Sequence, residues 1–372
     1  MKTSLLTSLK GNMGFKAGEG FIPTEYNWAK PSSWPELRQT TPEGAIGILI
    51  SDKYPVFSFS VNCEGGYKVL VGQREYALFE NGQQCVINIA DLADFESILI
   101  NYPEALTSYS LTLLPVNENA DITGFKCERS QESGTQEQGV LWVHLATDCL
   151  MERFLLSDDN DTQKVRNRDL RAVTSSSGEI KVKSIYGAFN ECGELSYLPV
   201  INYGNYLSKN YCSLRNCSKL SKVTLKNFTP QDTINMFYNS QALRRVIFEN
   251  SNFGSLTNAF NIFGNCPNLD MAMLDLSSGD KLERITCAGT SQKPMTGFKG
   301  LKVSSAAPFT QSAPQIDVSY TGMDKENLKS LFESLPQVSA GQKINITGSS
   351  GSADLTQEDI AIAVNKGWEV LQ

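Results

Sequence analysis

Nine cysteines, one histidine and a few close carboxylate pairs are the residues that could carry chemistry in this 372-residue chain. The cysteines Cys63, Cys85, Cys127, Cys149, Cys192, Cys212, Cys217, Cys266 and Cys287 are odd in number, and none stands in a Cys-x-x-Cys pair. That spread fits reduced, buried thiols rather than a disulfide framework or a zinc site. Cys212 and Cys217 are the one close pair, and no histidine lies near them. His144 sits in the apolar run Val140-Leu141-Trp142-Val143-His144-Leu145, where it reads as a sheet residue and not as a base. Ser157-Asp158-Asp159-Asn160-Asp161 gathers three aspartates, but a calcium loop of the EF-hand kind needs Gly at its sixth position and Glu at its twelfth. Thr162 and Arg168 stand there, so a solvated turn is expected. Glycoside hydrolysis needs two carboxylates converging on one cleft; Glu191 with Glu194, and Asp275 with Asp280, read instead as solvated repeat positions. The chain has no Gly-x-Ser-x-Gly and no Gly-rich phosphate loop. The expectation is a non-enzymatic protein with no cofactor and no metal.

What positions these residues is a repeat. Phe189-Asn190-Glu191-Cys192-Gly193-Glu194-Leu195 recurs as Leu214-Arg215-Asn216-Cys217-Ser218-Lys219-Leu220, as Phe237-Tyr238-Asn239-Ser240-Gln241-Ala242-Leu243 and as Phe263-Gly264-Asn265-Cys266-Pro267-Asn268-Leu269, at spacings of 25, 23 and 26 residues. Such a period belongs to leucine-rich and related solenoids. Each unit is too small to bury its own apolar stripe and must stack on the next, so that like groups fall into register. The small Cys192, Cys217, Ser240 and Cys266, each a donor toward backbone at the bend, and the apolar Leu195, Leu220, Leu243 and Leu269 are therefore expected to form ladders along the stack. Short alternating runs at 222–228, 245–253 and 270–276 read as the strands of the repeat.

The pattern resembles the BspA-type leucine-rich repeats of bacterial surface proteins and of some tailed-phage virion proteins. A second resemblance lies upstream, where Lys30-Pro31-Ser32-Ser33-Trp34-Pro35-Glu36-Leu37 and Gly44-Ala45-Ile46-Gly47-Ile48-Leu49-Ile50 look like the opening of a family of tailed-phage structural proteins. In those relatives a small β-sandwich of the polycystic-kidney-disease (PKD) type precedes the repeats. Their Trp-Gly-Asp-Gly motif is absent here, where Gly66-Tyr67-Lys68-Val69-Leu70-Val71-Gly72 stands. The end Lys366-Gly367-Trp368-Glu369-Val370 is similar to the ends of the same family.

Taken alone, residues 44–115 give strand-like runs at Ala45–Ser51, Val56–Asn62, Tyr67–Val71, Glu75–Phe79, Cys85–Ile89 and Ser97–Asn101, separated by turn residues, with Asn81-Gly82 as a hairpin signal. Antiparallel packing follows. Further runs at Ser108–Val116 and Val140–Ala146 flank a segment, 117–139, that reads as a polar loop. Lys164, Arg166, Arg168 and Arg171 are expected to pair with the preceding acidic turn, and Thr174-Ser175-Ser176-Ser177-Gly178 to serve as a hinge. Before all this, residues 1–40 carry Phe21, Tyr26, Trp28 and Trp34 among glycines and prolines, an arm expected to lie against a partner chain or against the first domain. Near the other end, helices at Asp324–Leu335 and Thr356–Lys366 alternate with strands at Gln315–Tyr320, Lys343–Thr347 and Trp368–Leu371.

The expected fold is mainly β with an α/β C-terminal part: an extended arm (1–40), an antiparallel β-sandwich of PKD or immunoglobulin-like type (41–160), a linker (161–180), and a leucine-rich-repeat solenoid with a strand-helix cap (181–372). A net charge of −7 gives no basic footprint for nucleic acid, and no apolar run is long enough to span a membrane. Met1–Lys16 lacks the apolar stretch of an export signal, so synthesis in a host cytoplasm is expected. The resemblances imply a structural component of a tailed-phage virion (tail, collar or fibre) that contacts other virion proteins, copies of itself, and a host receptor or surface glycan. The alternatives are a bacterial adhesin binding host protein or glycan, and a polysaccharide-degrading tail spike. Tyr197, Tyr203, Tyr206, Tyr211 and Tyr238 are candidates either for sugar or protein contact or for packing within the coil.

Overall fold

Alternating apolar and polar residues favour extended chain, and the protein is mainly β, with 37% of residues in strands and 9% in helices. A computed structural model describes residues 28, 30–102, 104–130, 134–160, 163–304, 306–307, 313–339 and 341–372. Phe21, Tyr26 and Asp161 lie outside the described residues.

Two large sheets dominate the first half, beside a small one of Asp158–Asn160, Gln163–Arg166 and Gly134–Glu137. One large sheet has the order Ala172–Ser175, Val140–Leu145, Ile46–Ser51, Glu104–Pro115, Tyr67–Val71, Arg74–Phe79, with Ile98–Tyr102 also paired to Glu104–Pro115. The other runs Arg153–Leu155, Ile122–Cys127, Val56–Cys63, Gln84–Asn88. Neighbours are antiparallel except at one edge of each sheet, where Ala172–Ser175 and Arg153–Leu155 join in parallel. The sheets share one buried apolar cluster, in which Phe59 of the smaller sheet lies 6.3 Å from Tyr67 of the larger. The larger sheet's other face buries Leu49, Leu141 and Trp142 beneath Trp34 and Leu37. Trp28 packs edge-on against both Trp34 (5.7 Å) and Trp142 (4.9 Å). The described part of the arm thus covers its own chain's sheet.

Two expectations are corrected here. The segment 117–139 is not all loop: Ile122–Cys127 is an interior strand of the smaller sheet, with Ile122, Phe125 and Cys127 buried. Its alternation is hidden because its pairing with Val56–Cys63 shifts register between Asn62 and Cys63, leaving Thr123 as an extra residue in this strand, which puts Ile122 on the same side as Phe125 and Cys127. Nor is 161–180 a bare linker, since it holds strands Gln163–Arg166, Ala172–Ser175 and Glu179–Lys181. Thr174, expected in a hinge, is buried and bonded through Oγ1 to Trp142 Nε1 (2.8 Å) and His144 Nδ1 (2.9 Å). A run of hydroxyl residues looks like a loop in sequence, but hydroxyls also satisfy buried polar partners beside a sheet.

From residue 179 onward the backbone winds into a β-solenoid of about nine turns. Its strands stack in parallel: Glu179–Lys181, Val200–Asn202, Lys222–Lys226 and Arg245–Glu249 form one ribbon. A second, seven-stranded ribbon runs from Leu207–Lys209 to Trp368–Leu371. In the last turns helices Lys325–Ser334 and Gln357–Val364 replace tight bends. Asp324 caps the first, and Thr356 with Asp359 forms a complete capping box on the second. Phe125, Phe154 and Phe189 sit at 6.3 and 6.0 Å intervals, so the apolar interior passes without a break from the sheets into the coils.

Candidate functional site

Each repeat turns the chain at its third residue, and Glu191, Asn216, Asn239 and Asn265 there have φ of 61°, 59°, 60° and 58°. Asparagine tolerates this left-handed conformation better than other residues with a Cβ, which is the physical reason it recurs. The bend leaves peptide groups facing the next coil. Glu191, Asn216 and Asn239 donate their N–H to the carbonyls of Arg215, Tyr238 and Gly264 of the following turn at 2.9 Å each, a rung-to-rung ladder of backbone bonds.

Cys192, Cys217, Ser240 and Cys266 are all buried. Cys217 Sγ donates to Phe189 O (3.2 Å), Ser240 Oγ to Leu214 O (2.7 Å) and Cys266 Sγ to Phe237 O (3.0 Å). In each case the acceptor is the first residue of the preceding copy. Cys192, in the first copy, meets Ser157 Oγ at 3.5 Å instead. Leu195, Leu220, Leu243 and Leu269 are buried beside them in the same cluster. Burial pushes the Cys192 and Cys266 thiols up to about 12 and holds Cys217 well above its ordinary value. Protonated thiols can donate, and they make poor nucleophiles.

The neighbouring column is one that pattern-reading for cysteine and leucine passed over. Asn239 Nδ2 donates to Asn216 Oδ1 (2.8 Å), and Asn265 Nδ2 to Asn239 Oδ1 (2.5 Å). The signal was the asparagine at the third position of three of the four copies. This amide column runs to an open groove of about 710 Å³ where the first coils meet the sheets, lined among others by Lys53, Tyr54, Asp169, Glu191, Glu194 and Asn216.

Most charges in the groove are matched. Lys53 Nζ binds Asp169 at 2.7 and 2.8 Å, and its pKa is raised because this partner outweighs the lowering that burial brings. Burial, then the charge of Asp169, raises the Tyr54 phenol, whose ring lies 5.4 Å from Lys53 Nζ. Glu191 takes Arg166 (2.9 Å) and Arg168 (3.2 Å), and Arg168 also reaches Glu137 at 3.5 Å. Arg166 and Arg168 bind Glu191, and Arg168 also Glu137, so the solenoid's first bend supplies a carboxylate to this basic patch; the aspartate side chains of the turn expected to pair with it lie outside the described residues. Glu191 thus sits in an ion-pair network and is poorly placed to act as an acid or base.

Among the expected tyrosines, Tyr203 is core, Tyr197 packs beside Trp34, and Tyr206 is exposed. Tyr211 stacks on Tyr186 at 5.7 Å, and Tyr238 lies under Arg215. Among the described residues no group of three His, Cys, Asp or Glu could hold a metal ion, and no helix is long and apolar enough to cross a membrane. No family model, curated protein or solved structure matches the chain.

Proposed function

We propose that the protein is a non-enzymatic structural component of a tailed-bacteriophage virion, from the tail, collar or fibre, that assembles through its N-terminal part and presents its solenoid to a protein or receptor. In this reading the two sheets are a β-sandwich of PKD or immunoglobulin-like type and the coils are leucine-rich repeats. The observation that carries it is the side-chain and backbone laddering of the coils, which spends the thiols and turn residues on rigidity and leaves the outer faces for contact. The Trp34 segment, the repeats and the Trp368 end supply the resemblance to phage proteins. The Trp28, Trp34 and Trp142 cluster fixes the described part of the arm on the sheet, and this reading assigns contacts with other virion proteins or copies of this chain to the N-terminal part. Mass spectrometry of purified particles tests the proposal: the chain is expected among the virion proteins, and its absence from particles ends the reading. The second reading, a bacterial adhesin for host protein or glycan, draws on the exposed Tyr186 and Tyr206 of the first coils; surface labelling of intact cells that detects the chain would favour it.

A further inference from the structure

We propose that the groove between the sheets and the first coils binds a neutral oligosaccharide. The inference deepens the reading of the molecule as a binding scaffold, and rests on it, by assigning a ligand class to one site.

A ligand is selected by the groups a site leaves unspent. Lys53 is held by Asp169, and Arg168 by Glu191 and Glu137, so these cations are already matched and an anionic ligand would have to break an ion pair to reach them. A cationic ligand would compete with Lys53, Arg166 and Arg168 for the same carboxylates. What the groove offers beyond these pairs is directional hydrogen bonding. The asparagine column runs Asn265 to Asn239 to Asn216, each Nδ2 donating one coil back, and it stops at Asn216. There the preceding residue is Glu191, already engaged by two arginines. The Asn216 amide N–H groups have no partner among the described residues, and they border the groove.

Carboxylate oxygens of Asp169 and Glu191 keep lone pairs beyond those used by their cations, since each ionised carboxylate accepts about four bonds. The Ser218 hydroxyl, which donates to Gly193 O at 3.0 Å, retains acceptor capacity. At one side stands Tyr54, a ring with an apolar face and a polar rim. Donors and acceptors alternating beside one aromatic face match a molecule whose hydroxyls both donate and accept and whose ring carries a C–H face, which describes a pyranose. The volume falls within the range of about 300–1,000 Å³ usual for small-ligand sites, and openness to solvent implies weak, water-mediated binding.

The experiment is calorimetric titration of the full chain with four neutral tetrasaccharides (chito-, cello-, malto- and mannotetraose), with sialyllactose and a heparin tetrasaccharide as anionic comparators. At least one neutral member is expected to bind with Kd between about 0.1 and 5 mM. Tyr54→Ala should weaken it at least about fivefold. Asn216→Asp is the second variant; aspartate tolerates the left-handed turn and keeps the oxygen that Asn239 bonds, but removes the donors, so a comparable loss is expected without loss of fold. Lys222→Ala, on an exposed strand position away from the groove, should leave binding unchanged. The proposal is overturned if no neutral tetrasaccharide binds at about 5 mM, if the anionic comparators bind more tightly, or if both groove variants bind like the parent. Presence in particles is read separately, so a silent titration with the chain in the virion removes the glycan site alone.

Discussion

Ser240 does with oxygen what Cys217 and Cys266 do with sulfur, and it serves twice: its Oγ donates to Leu214 O and accepts from Cys217 N at 3.2 Å. Ser240→Ala leaves a buried carbonyl and a buried N–H unmatched, which should cost about 1–3 kcal/mol. Ser240→Cys, by contrast, restores the donor found in the other copies and should cost less than about 1 kcal/mol. Urea unfolding of the two variants checks both, and equal losses would contradict the ladder. His144 supplies a second residue-level prediction. Burial, and then the charge of Arg38, lowers its pKa from the ordinary 6.5 to about 4. The unfolded chain therefore binds a proton that the folded chain refuses, so stability from this group is complete above pH 6.5 and is lost as pH falls through about 4. Thermal melts from pH 7 to pH 4 should show this decline, and His144→Gln should flatten it. The Cys and Leu columns were legible because a chemical type recurs at a fixed spacing. The amide column was equally present in the sequence, but asparagine reads as generic polar surface unless its tolerance of positive φ is considered.

Strands of the first half were legible wherever alternation is clean, as at Tyr67–Val71, where one face is buried and the other half-buried. Ile122–Cys127 was not, because the extra residue Thr123 at its register shift breaks the period of two. Short strands such as Leu274–Asp275 and Ile316–Asp317 are set by stacking on neighbouring coils, information that no local window contains. The arm is the element whose role turned on contacts rather than composition. Trp34 is almost fully buried on Trp142 and Leu141, with Arg171 set 5.9 Å over its ring. Trp34→Ala should therefore cost about 3–5 kcal/mol by opening a cavity on the sheet's second face. Denaturation followed by tryptophan fluorescence measures it, and a loss below about 1 kcal/mol would show that the segment is only draped over the sheet.

At the scale of the whole molecule, the apolar interior that begins between the sheets continues past Phe154 and Phe189 into the last coil. The groove was not legible in sequence, because Lys53, Asp169, Glu191 and Asn216 come together only when the first coils fold back against the sheets. A molecule built this way is stiff where its coils stack, and its outer faces are the surface it has to offer. Stacking also decides the chemistry of the thiols: eight of nine cysteines are buried, and only Cys149 is partly accessible. The most direct test of the shared interior is therefore quantitative thiol titration of the unmodified chain along a urea gradient. The account predicts that at most Cys149 reacts under native conditions, and that the ladder thiols Cys192, Cys217 and Cys266 become reactive together in the main unfolding transition. Rapid native reaction of these three, or their release one at a time well before that transition, would contradict it.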